Sequence, residues 1–166
     1  AHAQRAIVAN IATQAPHGQT ARQCFLSGGP VALLPLDNGC SSLVWSCPEA
    51  ETQELLDLDA QQFIACLESA VGGVLGDMEC ISPRLSFPLV SGHVDAYTGD
   101  RYALLGDAAH QVHPLAGQGL NLGILDAAVL AEYLAEHLQL RAADPGDRRV
   151  LRRFERARKG DNVIAE

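Results

Sequence analysis

The chain has 166 residues, 48% of them hydrophobic, and twenty acids against twelve bases give a formal net charge of −8. That length holds one ordinary domain or two partial ones, and the apolar fraction supports a real core and excludes the disordered class. The acidic balance argues against general nucleic-acid binding, and no apolar run approaches the roughly 20 residues that cross a bilayer. No charged-then-apolar signal segment stands at the front. The only methionine is Met78, so Ala1 reads as a point reached after processing or as the start of a piece of something longer.

Five cysteines stand at 24, 40, 47, 66 and 80. Their number is odd and no pair has Cys-x-x-Cys spacing, which favours a reduced cytoplasmic protein over a disulfide framework or a zinc site. No metal is expected.

In chain order, Arg5–Thr13 is apolar enough for a strand covered on at least one face. Thr20–Leu26, Val31–Leu36 and Ser41–Ser46 read as further strands, joined by turns at Ala15–Gly18, Ser27–Pro30 and Asp37-Asn38-Gly39. The Asn-Gly pair is a hairpin signal, because both residues tolerate the positive φ of tight turns. Four strands so joined predict an antiparallel meander, unlike a nucleotide-binding βαβ unit.

Two helices follow. Pro48 suits a first helical position before Glu49–Asp57. Asp59 and Gln62 make a capping-box pattern for the next helix, with Phe63, Leu67, Ala70, Val71 and Val74 on one face, Gly72-Gly73 weakening its end and Gly76 as its stop. Glu79–Val90 is extended, with Pro83 and Pro88 placing it at an edge or breaking it in two. Gly92–Tyr97 is a short strand and Thr98-Gly99-Asp100 a turn.

Tyr102–Asp126 then combines a short apolar strand, an acid in a turn, a stiff loop and a glycine-rich helix start. The helix is expected over Gly119–Leu140, with Leu120, Ile124, Ala128, Ala131, Leu134 and Leu138 as its apolar stripe. Asp144-Pro145-Gly146-Asp147 starts a last helix that turns Val150, Leu151 and Phe154 inward. Seven of the twelve bases lie between Arg148 and Lys159. A solvated face, a contact with acidic protein and attachment to anionic lipid all fit such a run. The fold class is α+β to α/β, with residues 1–98 as an antiparallel sheet plus two helices and 99–166 as a second layer.

Chemically, Gly106-Asp107 places a carboxylate at the end of a strand, suited to sugar or ribityl hydroxyls or equally to a plain turn. Gly117, Gly119 and Gly123 leave a helix start without side-chain bulk, and its free N–H groups attract negative charge. His110 and His113 could be bases, metal ligands or hydrogen-bonded loop histidines. Pro114 can present a rigid apolar surface to a ring.

Taken together, Gly106-Asp107-Ala108-Ala109-His110 and the run from His113-Pro114 through Gly117-Gln118-Gly119-Leu120-Asn121 to Asp126 resemble the second flavin-binding motif of aromatic-ring flavoprotein monooxygenases. More narrowly, they resemble the ubiquinone-biosynthesis hydroxylases. Pro16-His17, Ala32–Leu36, Val44-Trp45-Ser46, Phe87-Pro88-Leu89 and Arg158–Asn162 are similar to other family positions.

The resemblance implies a substrate-domain sheet in residues 1–98 and the C-terminal part of an FAD-binding domain in 99–166. It implies an FAD-dependent aromatic hydroxylase that uses NAD(P)H and dioxygen, through a flavin C4a-hydroperoxide, on a polyprenylated phenol or quinol. It assigns Gly106, Asp107, Pro114, Gly117, Gln118, Gly119, Leu120 and Asn121 to the cofactor, with Asp107 on the ribityl chain, and Pro114 and His113 to the catalytic side. The family's N-terminal Gly-x-Gly-x-x-Gly unit for the ADP half of FAD is not present in these residues. The chain is therefore expected to be a middle-to-late part of the enzyme, inactive alone, from a cytoplasmic protein with peripheral inner-membrane or assembly contact as one reading. A related flavoprotein reductase or halogenase, and a non-catalytic interaction subunit of a quinone-biosynthesis assembly, are the alternatives.

Overall fold

Ten short strands and four helices make up the computed structural model, which describes residues 4–112, 118–140 and 144–164. They fall into two units, 1–89 and 90–166. The division comes between Leu89 and Val90 rather than after residue 98, because the strand Gly92–His93 pairs with His110–Gln111.

The first unit is a mixed layer pair, a six-stranded antiparallel sheet with two helices. Its strands are β1 (Gln4–Thr13), β2 (Arg22–Leu26), β3 (Gly29–Pro35), β4 (Ser41–Pro48), β5 (Met78–Cys80) and β6 (Leu85–Leu89). Strands β2, β3 and β4 follow one another as expected, and Asn38-Gly39 does turn the β3–β4 hairpin, with Gly39 at φ 83°. The simple four-strand meander is not what forms. β1 pairs with β4, not with β2, and on its other edge it takes both β5 and β6. The reason is burial: Ile7, Ala9 and Ile11 are core residues, so β1 belongs in the sheet's interior, where both edges find partners. The segment before β6 carries Pro83, which separates β5 from β6 as the sequence suggests.

Alternate residues of the central strands point to one face. Ile7, Ala9 and Ile11, Val31 and Leu33, and Leu43, Trp45 and Cys47 pack there with Leu55 of α1 (Glu49–Asp57) and with Phe63, Leu67 and Val71 of α2 (Ala60–Val71). The Asp59–Gln62 capping box is present in both directions: Gln62 N donates to Asp59 Oδ1 at 2.8 Å, and Asp59 N donates to Gln62 Oε1 at 3.3 Å. Gly72, at φ 72°, ends α2 four residues before the expected stop at Gly76, so Val74 lies beyond the helix and is exposed. Pro48 is the residue before α1 rather than its first helical position.

The second unit holds β7 (Gly92–His93), β8 (Thr98–Gly99), β9 (Tyr102–Ala103), β10 (His110–Gln111), α3 (Gly119–Leu138) and α4 (Arg148–Ile164), with a 3-10 turn at Gly106–Ala108. The apolar strand before Gly106 is shorter than expected: only Tyr102 and Ala103 pair, in a hairpin with β8. Asp147 stands just before α4, and its Oδ1 accepts Arg149 N at 2.8 Å. Asp144 instead makes a bidentate pair with Arg101, at 2.6 and 3.0 Å. Val150, Leu151 and Phe154 are buried, as their spacing predicts.

The face of α3 is the main correction. Leu120, Ile124 and Leu138, placed on the inward stripe, are exposed, and so are Ala128 and Ala131. The fully buried residue is Asp126, with Leu122, Val129, Leu130, Tyr133 and His137 half-buried on its side. Apolar residues run nearly all round this helix, so their period does not select a face. No described helix is long and apolar enough to cross a membrane.

Candidate functional site

Three elements converge in the second unit: the Gly106–Ala108 turn, the start of α3, and the inward face of α4. Gly106 sits at φ 53°, a left-handed conformation that favours glycine. Its Cα lies so near α3 that a Cβ on Gly123 would stand 3.3 Å from it. The two glycines therefore allow turn and helix to touch backbone to backbone. Larger side chains at 106 or 123 would push them apart.

This contact sets Asp107 beside the helix start. A Cβ built on Gly119 would lie 3.9 Å from Asp107 Oδ1. Asp107 is exposed, and its carboxylate has no hydrogen-bond partner among the described residues. Gln118, the residue before α3, makes no side-chain cap, and the first helical bond is Leu122 N to Gln118 O at 2.9 Å. Among the described residues, the N–H groups of Gly119, Leu120 and Asn121 thus have no partner at this positively polarised helix end. Gly106, Asp107, Gln118, Gly119, Leu120 and Asn121 form one cluster. His113, Pro114 and Gly117 lie outside the described residues.

What holds the turn in place is a buried ionic network that the sequence reading did not assign. Asp126 accepts four hydrogen bonds. Oδ2 takes Gly106 N at 2.9 Å and His110 Nε2 at 2.6 Å; Oδ1 takes Arg158 Nε at 2.7 Å and Asn162 Nδ2 at 3.3 Å. Arg158 also donates to Asn162 Oδ1 and to Asp161 Oδ2, both at 2.8 Å. Asp126, His110, Arg158 and Asn162 are all essentially inaccessible to water. Burial alone would raise the Asp126 carboxyl. The hydrogen bonds from His110, Arg158, the Gly106 amide and Asn162 outweigh it and hold the group below the usual carboxylate range.

His110 is therefore a buried, hydrogen-bonded histidine. Its ring packs 5.8 Å from that of Tyr97, whose hydroxyl meets His93 Nδ1 at 2.7 Å. Nε2 is the ring nitrogen that donates to Asp126. The network had two legible signals. Asp126 is the only charge between Gly119 and Ala131, and Arg158 and Asn162 continue the i+4 series from Phe154 on the inward stripe of α4. Among the described residues, no three His, Cys, Asp or Glu stand close enough to hold a metal.

A turn carboxylate over a glycine-lined helix start without a side-chain cap among the described residues offers an acceptor for hydroxyls and donors for negative charge, as a nucleotide cofactor requires. Residues 4–159 match the family model described as FAD binding domain. The chain belongs to that FAD-binding domain family.

Its relatives include the ubiquinone hydroxylase UbiL of Rhodospirillum rubrum, 40% identical over 163 residues, covering 98% of this chain and 38% of that protein. The mitochondrial ubiquinone biosynthesis monooxygenase COQ6 of Homo sapiens is 36% identical over 166 residues, covering 80% of this chain and 36% of that protein. Among solved structures, PqsL of Pseudomonas aeruginosa, a probable FAD-dependent monooxygenase, superposes with a TM-score of 0.76 at 28% identity. It covers 97% of this chain and 45% of PqsL. The chain spans under half the length of each of these proteins.

Proposed function

We propose that this chain forms the flavin-facing part of an FAD-dependent monooxygenase that hydroxylates a polyprenylated phenol or quinol in ubiquinone biosynthesis. The observation that carries the reading is the Asp107 carboxylate, without a hydrogen-bond partner among the described residues, beside a start of α3 that has no side-chain cap among them. In this reading Asp107 accepts hydrogen bonds from ribityl hydroxyls. The N–H groups at Gly119 to Asn121 stabilise negative charge on the flavin ring without having to reorganise. Gly106 and Gln118 belong to the same rim in this reading, and the resemblance assigns Leu120 and Gly117 to the cofactor and Pro114 with His113 to the catalytic side. Bound FAD would supply the electron-transfer and oxygen chemistry, with NAD(P)H as reductant and dioxygen as co-substrate.

The first unit supplies the substrate-side sheet. The face of that sheet away from α1 and α2 presents Phe25, Leu34, Leu85 and Phe87 to solvent, an apolar surface of the kind a polyprenylated ring requires. A cytoplasmic protein in peripheral contact with the inner membrane, where such substrates reside, suits the same reading.

The test is Asp107→Ala in the protein expressed from its intact gene. Loss of a charge-assisted acceptor is expected to weaken FAD retention by about tenfold or more, read as flavin-to-protein ratio after gel filtration. Flavin content equal to that of the parent would remove Asp107 from the site.

A further inference from the structure

Three of the seven bases on α4 are engaged inside the second unit. Arg158 is the buried partner of Asp126. Arg153 Nη1 donates to Glu136 at 2.6 Å, with its guanidinium 3.9 Å from the centre of the Tyr133 ring, and Lys159 Nζ donates to the Asp95 carbonyl at 2.7 Å. The other four, Arg148, Arg149, Arg152 and Arg156, have no side-chain partner among the described residues. They are not scattered. All four line one groove of about 520 Å³, shared with Thr98 and Gly99 of β8.

Glu155 is the only acid in that groove, and both its oxygens are already taken, by Tyr97 N at 2.9 Å and Thr98 Oγ1 at 2.8 Å. The arrangement opposes helix stability. Arg148, Arg152 and Arg156 follow one another at i,i+4, where like charges repel. Arg148 and Arg149 also stand in the first turn, at the end of the helix dipole that disfavours cations. Against these four positive charges the groove's lining supplies one negative charge, Glu155, in a chain whose net charge is −8.

We infer that this groove binds a phosphate-bearing anion. Guanidinium groups offer paired donors that match phosphate oxygens, and one such anion would relieve the repulsion among several arginines at once. The groove uses residues separate from the Asp107 cluster, so it stands or falls apart from the flavin reading. A soluble phosphate ester and the headgroup of an anionic phospholipid share this chemistry.

The experiment has two arms on the same chain: titration with inorganic pyrophosphate followed by amide shifts in α4, and co-sedimentation with phosphatidylglycerol–phosphatidylcholine vesicles against pure phosphatidylcholine. Binding of pyrophosphate assigns a soluble ester, and binding of anionic vesicles alone assigns a headgroup. Arg152→Gln and Arg156→Gln should each weaken that binding about tenfold. Both residues are exposed, and removing either should leave the thermal midpoint unchanged or raised, which a structural role would not do. Arg153→Gln removes the same charge outside the groove and should leave binding unchanged. Binding to neither probe would overturn the inference, as would equal weakening by Arg153→Gln.

Discussion

Asp126→Ala is expected to destabilise the second unit by about 3–5 kcal/mol, because it removes the buried carboxylate that pairs with Arg158 and leaves only the exposed Asp161 to balance that charge. It also orphans the Gly106 amide and His110 Nε2, both of which donate to the lost carboxylate. The damage should therefore reach the turn that carries Asp107, measurable as faster amide exchange at Gly106 together with a lower denaturant midpoint. A double change, Asp126→Asn with Arg158→Met, leaves no unpaired buried charge and should recover part of the loss, giving a strongly non-additive cycle. A single-variant effect within about 0.5 kcal/mol would show that the network carries little.

The pH dependence follows from the same site. Asp126 has a folded-state pKa held below that of the unfolded chain, so the unfolded state binds the proton more readily. Its contribution is fully present above the unfolded value of about 3.9 and is lost as pH falls through the depressed folded value. Acid unfolding of the parent should accordingly be steeper below about pH 4 than that of Asp126→Asn, which has no such proton to take up.

In the first unit the largest effect is expected for Phe63→Ala, at about 3–5 kcal/mol. Phe63 is fully buried, its ring 6.0 Å from that of Trp45. The Arg84 guanidinium lies over the Phe63 ring, 4.8 Å from its centre, and it donates to the carbonyls of Leu55 at 3.2 Å and Leu58 at 2.7 Å. Those carbonyls lie at the end of α1, where no intrahelical donor remains. Removing the ring thus opens a cavity and loosens the arginine that satisfies α1's end. Urea unfolding monitored by Trp45 fluorescence reads the loss directly, and a midpoint equal to the parent's would contradict it.

These effects mark where sequence was informative. Signals that act within a few residues were legible: the Asp59–Gln62 box, the Asn38-Gly39 turn, and the inward series Val150, Leu151 and Phe154. Contacts between distant residues were not. The position of β1 between β4 and the β5–β6 edge depends on which of several apolar strands is buried deepest, and a list of strands does not rank them. The face of α3 was misread because Leu120 and Ile124 are as apolar as anything on the buried side, while the deciding residue is an acid. Asp126 looked like the end of a glycine-rich run; only Arg158 and Asn162, more than thirty residues later, make it the centre of a network. The Gly106–Asp107 turn and the glycine-rich helix start were legible as a pair. The glycine-to-glycine contact that joins them was not, since backbone proximity leaves no mark beyond the glycines themselves.

The most direct measurement is a crystal structure of the protein expressed from its intact gene, with FAD bound. Asp107 should lie within hydrogen-bond distance, about 3 Å, of a ribityl hydroxyl, with the Gly119–Asn121 amides facing the flavin ring. A flavin seated away from Asp107 and from the start of α3 would contradict the assignment.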